Sequence, residues 1–364
     1  MVVQEITNIL EELAPLANAE SFDNVGLLVG NKNSKVTGVL VTLDTLENVV
    51  DEAIAKKCNL IISFHPIIFS GLKKITGANY VERVVLKAIQ NNIAIYSMHT
   101  ALDNVPNGVN GKICEILELT NTKILIPKKE TIKKLTTYIP NKDATKLKNA
   151  LFNAGAGNIG NYSNCSFTVN GKGSYLPGKN TKPTIGKIGK LHYEEETQIN
   201  ITYTIANEKK IVEALFKNHP YEEVAYEIST LENINQNLGM GMVGKLQKPM
   251  KEIDFLNWLK EKMNISSIRH SQLLSKEIQK IAVLGGSGSF AINAAKSVNA
   301  DVFITSDLKY HQFYEAEKKL IIADIGHYES EQYTKNLLVD YLTKKIPNFA
   351  VRLSESETNP IKYF

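Results

Sequence analysis

Three histidines close runs of apolar residues that read as β-strands: His65 after CNLIISF, His99 after IAIYSM and His327 after LIIADIG. Acidic residues follow two of them at the same interval, in His99-Thr-Ala-Leu-Asp103 and His327-Tyr-Glu-Ser-Glu331. Imidazole and carboxylate together suit Zn, Mn or Fe(II) without any need for sulfur. A carboxylate can also bridge two cations, and two metals about 3.5–4 Å apart sharing a water generate a nucleophile near neutral pH. A single strand-end histidine serves equally well by hydrogen-bonding backbone inside a core. The repeated His-x-x-x-acid spacing is what turns the set toward a metal centre. Glu331 also has a purely structural reading. A helix is expected from near Ser330, with Tyr333, Leu337, Tyr341 and Leu342 on one face, and a carboxylate in a first helical turn is favoured by the macrodipole.

Other residues offer weaker chemistry. Leu284-Gly285-Gly286-Ser287-Gly288-Ser289 follows a strand and precedes a helix. Amides in such a turn can hold a phosphate, but the pattern lacks both Gly-x-Gly-x-x-Gly and the Walker lysine, so a tight packing turn is the better reading. His311 lies just past a strand and could face the same cleft. Asp23-Asn24, in the loop SFDNVGLLVG, either orients a ligand or forms an Asx turn. Phe255, Trp258 and Leu259 read as ordinary helix core.

The elements that position these residues alternate. An opening helix is expected within residues 3–17 from the spacing of Ile6, Ile9, Leu10 and Leu13. Strand VTGVLVTLD, helix TLENVVDEAIAKK, strand CNLIISF, helix YVERVVLKAIQNN and strand IAIYSMH then follow. Near-continuous apolar strands separated by helices imply a mainly parallel sheet covered on both faces. The C-terminal part repeats the order: IQKIAVLGG, FAINAAKSV, ADVFITSD, a helix around YHQFYEAEKK, and LIIADIGH. The predicted class is therefore α/β with a duplicated βαβαβ unit. His99 and His327 fall at the carboxyl ends of matching strands, where open α/β sheets bind ligands.

Residues 127–235 read differently. Strand KKLTTYIP, helix DATKLKNALFNAGA, strand CSFTVNGKGSYLP with a glycine turn, strand TQINITYTIA, helix EKKIVEALFKNHP and strand EVAYEIST give the order βαββαβ, the ferredoxin-like arrangement. Segment 170–190, rich in Gly, Pro and Lys, is expected to be a mobile surface loop, solvated rather than in contact with an acidic partner. The expected division is a discontinuous domain, 1–126 with 236–364, carrying an insert at 127–235.

Composition narrows the function classes. The chain has 364 residues, 42 Lys+Arg against 38 Asp+Glu, and a net charge of +4. So weak a basic balance gives no nucleic-acid footprint. Only Arg83, Arg269 and Arg352 are arginines, which leaves no multi-arginine phosphate clamp. Cys58, Cys114 and Cys165 are odd in number and form no Cys-x-x-Cys pair, which argues against a disulfide framework or thiolate zinc site and fits a reducing cytoplasm. No signal peptide is visible at MVVQEITNILEEL. No apolar run approaches the ~18 residues of a membrane span.

Several of these segments carry a resemblance. SFDNVGLLVG, SFHPIIFSGLK, YSMHTALD, ADVFITSDLKYH and ADIGHYESE resemble the GTP cyclohydrolase I type 2 homologue, or Nif3-like, family. HPYEEVAYEI resembles the signature of that family's inserted PII-like domain. The resemblance implies two intertwined α/β lobes, a dinuclear metal centre facing an internal cavity, and a toroidal homohexamer. It also implies His65, Asp103, His327 and Glu331 as metal ligands, with one or two divalent ions (Zn, Mn or Fe) per subunit. Phe64 stands where many relatives place a first histidine, so one metal lacks a side-chain ligand unless water or His99 replaces it. Met242 stands where an arginine is common in relatives. The family name implies hydrolytic opening of the guanine ring of a nucleotide. In that reading Glu331 and Asp103 bind or bridge metal, and His99, or His311, handles the proton. Two other readings stay open: a non-enzymatic metal-handling protein, and a regulatory scaffold whose insert senses a ligand.

Overall fold

The computed structural model of the chain describes residues 1–363. These form two compact units: Met1–Pro127 together with the chain from Gln236 onward, and Lys128–Asn235. In chain order the strands are β1 (Gly26–Val29), β2 (Val39–Thr42), β3 (Leu60–Ser63), β4 (Ala94–Ser97), β5 (Thr120–Lys128), β6 (Ile132–Pro140), β7 (Phe167–Tyr175), β8 (His192–Thr204), β9 (Tyr226–Leu231), β10 (Asn235–Lys251), β11 (Arg269–His270), β12 (Glu277–Ser287), β13 (Val302–Ser306), β14 (Ile321–Asp324) and β15 (Val351–Leu353).

The first unit contains two sheets. One has the order β1-β4-β3-β2-β15 and the other β11-β14-β13-β12-β10-β5. In the first, β2, β3 and β4 are parallel, with Val41 opposite Ile62 and Ile62 opposite Tyr96. In the second, β12, β13 and β14 are parallel in the same way. The two βαβαβ units are intertwined: β15, from the end of the chain, pairs with β2, while β5, from the first half, lies in the second sheet.

The apolar strands explain themselves by burial on both faces. Val41, Leu60, Ile62 and Tyr96 join Ile281, Val283, Val302 and Ile304 in one shared core. The alternate residues Leu40, Ile61 and Ile95 pack outward against Val49, Val50, Val84, Val85 and Ala88 of the covering helices. On the second sheet Ala282, Phe303 and Ile322 do the same with Ile292 and Ala295. Each such side chain, fully removed from water, contributes about 1.5–3 kcal/mol before its entropy cost. The covering helix Tyr80–Gln90 starts where Asn79 accepts a hydrogen bond from the Glu82 backbone N–H, which satisfies a donor the helix cannot.

Several local expectations change. The opening helix is Val3–Leu13 and stops ahead of Pro15. Tyr310–Ala316 is a 3₁₀ rather than an α-helix. The helix expected from Ser330 is two elements, one turn at His327–Glu331 and a longer helix at Thr334–Lys345. Glu331 therefore ends a short helix, so the macrodipole does not account for it.

In the second unit the sheet order is β7-β8-β6-β9, antiparallel throughout. Helices Ala144–Asn153 and Glu208–Asn218 follow β6 and β8. They bury Leu147, Leu151, Ile211 and Leu215 against Leu135, Ile139, Ile199 and Ile201. Strand β7 runs through Gly171 and Gly173 without the expected turn. The Gly- and Pro-rich segment after it folds back through hydrogen bonds from Tyr175 to the Ile185 carbonyl and from Thr184 to the Pro220 carbonyl. No described helix is long and apolar enough to cross a membrane.

Candidate metal centre

The carboxyl ends of the parallel strands bring side chains of both sheets together. His65 follows β3 by two residues. His327 opens the one-turn helix after β14, and Gly326, with φ 93°, provides the entry bend that an L side chain resists. One helical turn then sets His327 and Glu331 on the same face.

Three donor atoms converge. His65 Nε2 lies 3.0 Å from Glu331 Oε2, His327 Nε2 lies 3.1 Å from that same oxygen, and the two Nε2 atoms are 3.4 Å apart. With ligand bonds of about 2.0–2.2 Å, three donors at such mutual distances fit one face of a tetrahedral or octahedral cation. His65, His327 and Glu331 form the group that could hold a metal ion.

Each imidazole is fixed from behind. His65 Nδ1 is 2.8 Å from Asp44 Oδ1, and His327 Nδ1 is 2.7 Å from Asp307 Oδ2. A carboxylate at Nδ1 makes that nitrogen the N–H donor and leaves the Nε2 lone pair for the centre. Thr358 in turn donates to Asp44 Oδ2 at 3.1 Å, and Ser287 donates to Asp307. Neither Asp44 nor Asp307 is singled out by the sequence pattern. The available signal was positional: each aspartate lies just past the strand next to the one that supplies its histidine.

The electrostatics fit a cation. Burial disfavours charge on His65, but Asp44 and Glu331 outweigh it and push its pKa up to about 10. His327, likewise opposed by burial, rises to about 9 beside Glu331 and Asp307. Burial would raise Glu331, yet the two imidazoles bring it down to about 2. The pair of protons so held carries the charge of one divalent cation.

Asp103 is placed beside this group rather than in it. It ends the one-turn helix His99–Asp103, the counterpart of His327–Glu331. Burial first, and the Glu331 charge second, hold its carboxyl well above the usual range. Asp103 Oδ1 is buried with no hydrogen-bond partner among the described residues. A buried carboxylate oxygen lacking a donor is costly, and such oxygens suit a metal.

His99 sits next to the triad, its ring centroid 5.4 Å from that of His65. Its Nδ1 is 2.8 Å from Asp23 Oδ1, and Asp23 also accepts the Thr100 backbone N–H. Asp23 is thus a positioning residue for His99. The His99 backbone has φ 26°, a strained value for a non-glycine residue and one that recurs at functional sites. Phe64 is fully buried, with its ring centroid 4.9 Å from His65 and 5.6 Å from His99.

The glycine turn is a floor for the carboxylate. Gly285 and Gly286 donate their N–H groups to Asn110 Oδ1 and Ser330 Oγ, so those amides are already engaged. A Cβ on Gly286 would lie 2.4 Å from Glu331 Oε1. His311 is exposed, stacks edge-on against Tyr310 and is not one of the converging donors. Met242 is buried in the shared core.

A duplicated α/β framework with two histidines and a glutamate converging from its two sheets defines a two-lobed protein with a candidate metal centre. The model of the Duf34/NIF3 (NGG1p interacting factor 3) family matches residues 1–360, and the chain belongs to that family. It is 38% identical over 370 residues to the GTP cyclohydrolase 1 type 2 homolog of Bacillus subtilis (strain 168), covering 99% of this chain and 98% of the relative. A homolog of the same name from Staphylococcus epidermidis (strain ATCC 12228 / FDA PCI 1200) is 35% identical over the full length of both. The crystal structure of a Bacillus cereus protein related to NIF3 superposes with a TM-score of 0.85 at 36% identity, covering 100% of this chain and 99% of that one.

Proposed function

We propose that the protein is a metal-dependent hydrolase of small molecules, with a nucleotide as the substrate class suggested by the names of its relatives. The observation that carries this reading is the convergence of His65 Nε2, His327 Nε2 and Glu331 Oε2 within 3.4 Å of one another. These three would hold a first divalent cation, and Asp103, with Glu331 as the shared carboxylate, would hold a second. Bound there, such ions supply Lewis acidity that brings the ionisation of water toward neutral pH. Asp44 and Asp307 keep both imidazoles in the Nε2-facing tautomer. His99, oriented by Asp23, presents Nε2 without a hydrogen-bond partner among the described residues and is the group to accept or return a proton. The reading extends to a homohexamer in which the centres face an enclosed space.

A non-enzymatic metal-handling role is the second reading. It is favoured by Phe64, a fully buried ring where a further ligand would complete the site.

Elemental analysis of protein purified without chelator, beside Glu331→Gln, tests the proposal. The expected result is at least one tightly held cation per chain, lost in the folded variant together with turnover of guanine nucleotides. Full metal retention in Glu331→Gln overturns the ligand assignment. Metal that exchanges within minutes, with no turnover in wild type, favours the second reading.

A further inference from the structure

The inserted unit holds a cavity of its own, about 460 Å³ in volume and bounded entirely by residues 138–225. That size falls within the range of small-molecule sites, about 300–1,000 Å³. Its composition is unusual for this chain. Leu176, Pro177, Pro183 and Ile185 give apolar walls, and Tyr138, Tyr175 and Tyr221 give aromatic ones. The charged lining residues are Glu196, Glu222 and Glu223. Although the surrounding segment is lysine-rich, no Lys, Arg or His lines the cavity among the described residues.

We propose that this cavity binds a small organic ammonium ion, its nitrogen held by the Glu196 carboxylate among the tyrosine rings and its carbon body against the apolar wall. Aromatic faces and a carboxylate together are the chemistry that recognises an organic cation. The same lining repels phosphates and carboxylates, so a nucleotide is excluded here.

The carboxylate is positioned by its surroundings. Glu196 Oε1 accepts the Tyr221 hydroxyl at 2.7 Å. Its Oε2 lies over Gly173, where a Cβ would come within 2.0 Å, and has no hydrogen-bond partner among the described residues. Tyr175 and Tyr221 meet edge-to-face at 5.9 Å between centroids. The wall facing them is tied down at both ends. Tyr175 donates to the Ile185 carbonyl at 3.0 Å, and Glu222 Oε2 accepts the Lys182 backbone N–H at 2.7 Å. The cavity therefore exists before any ligand arrives, which lowers the ordering cost of binding.

Titration calorimetry of the full chain with tyramine, choline and butylammonium tests this, with tyrosol and 4-hydroxyphenylpropionate as neutral and anionic controls. At least one ammonium should bind saturably, about tenfold or more tighter than its neutral counterpart. The Glu196→Gln change should remove that preference, and Ala225→Leu, which fills the space without altering charge, should abolish binding. Circular dichroism should show both variants folded; if Glu196→Gln is not, the Ala225→Leu result and the tyramine-to-tyrosol ratio decide. Absence of saturable binding of all three ammonium ions at 10 mM, or equal affinity for tyramine and tyrosol, overturns the proposal.

Discussion

His65 Nε2 and His327 Nε2 lie 3.4 Å apart although 262 residues separate them in the chain. Each follows a parallel strand of a different sheet, and each is backed at Nδ1 by an aspartate just past the neighbouring strand of its own sheet, Asp44 beside His65 and Asp307 beside His327. The duplication thus supplies the same Asp–His pair twice, and Glu331 closes the gap between them. Two protonated imidazoles facing one carboxylate would be ordinary ion-pair chemistry. What distinguishes this arrangement is that every outward nitrogen is already occupied, so the inward atoms have only each other or a cation.

Replacing either backing aspartate should weaken metal binding while leaving all three converging donors in place. Loss of such a partner usually costs 10–100-fold in metal affinity. Asp44→Asn and Asp307→Asn are each expected in that range by competition with a chelating dye. Because Asn can still accept from Nδ1–H, the smaller end of the range fits retained tautomers. An unchanged affinity in both variants would show that the imidazoles are oriented by other means.

Gly286→Ala should damage the centre as severely as a ligand substitution. The added Cβ would sit 2.4 Å from Glu331 Oε1, and φ is 69°, so both space and backbone oppose it. Fitting the methyl group moves Glu331, whose side chain is almost wholly buried. Metal affinity is expected to fall at least tenfold with an otherwise native circular-dichroism spectrum. Full affinity in this variant would mean that Glu331 is not a ligand.

The strands, the strand-end histidines and the His327–Glu331 pair were legible because their signals are local, whereas the meeting of His65 with that pair spans 262 residues. Continuous apolar runs announce strands covered on both faces, and His327 and Glu331 share one helical turn. Glu331 was also open to a helix-start reading, and only the break between His327–Glu331 and Thr334–Lys345 removes it. Asp44 and Asp307 could not be recognised locally, since their partners lie 21 and 20 residues away. The start of segment 170–190 misled for a related reason, since residues through Tyr175 belong to strand β7. Glycine signals flexibility in a sequence, but Gly173 is small because Glu196 lies over it.

Phe64→His should raise the number of cations held per chain. The Phe64 ring already touches both His65 and His99, so an imidazole in its place would add a donor beside those two histidines. Burying that imidazole without metal costs stability, since position 64 is closed to solvent. The metal-free variant is therefore expected to melt below wild type and to regain more stability on adding Zn or Mn than wild type does. No gain in stoichiometry by elemental analysis would count against a second cation at Asp103.

Acid should release the C-terminal segment before it unfolds the sheets. Glu52, in the helix Glu47–Ala55, accepts from Lys56 Nζ, from the Ser354 and Ser356 hydroxyls, and from the backbone N–H groups of Glu355 and Ser356. Burial alone would raise its pKa, but these donors outweigh burial and bring it from 4.5 down to about 2. A carboxyl whose folded pKa is depressed contributes stability that is fully present above its unfolded value and lost as pH falls through the folded one. The window here runs from about pH 4.5 down to about 2. Glu52→Gln should therefore cost about 1–3 kcal/mol at pH 7, measured by urea unfolding, and progressively less toward pH 2. In wild type, amide exchange of residues 354–358 should accelerate over that window. Thr358 belongs to this segment and donates to Asp44, so the same acid step loosens the partner of His65. An equal penalty for Glu52→Gln at pH 7 and near pH 2 would show that its carboxylate charge does not hold the segment.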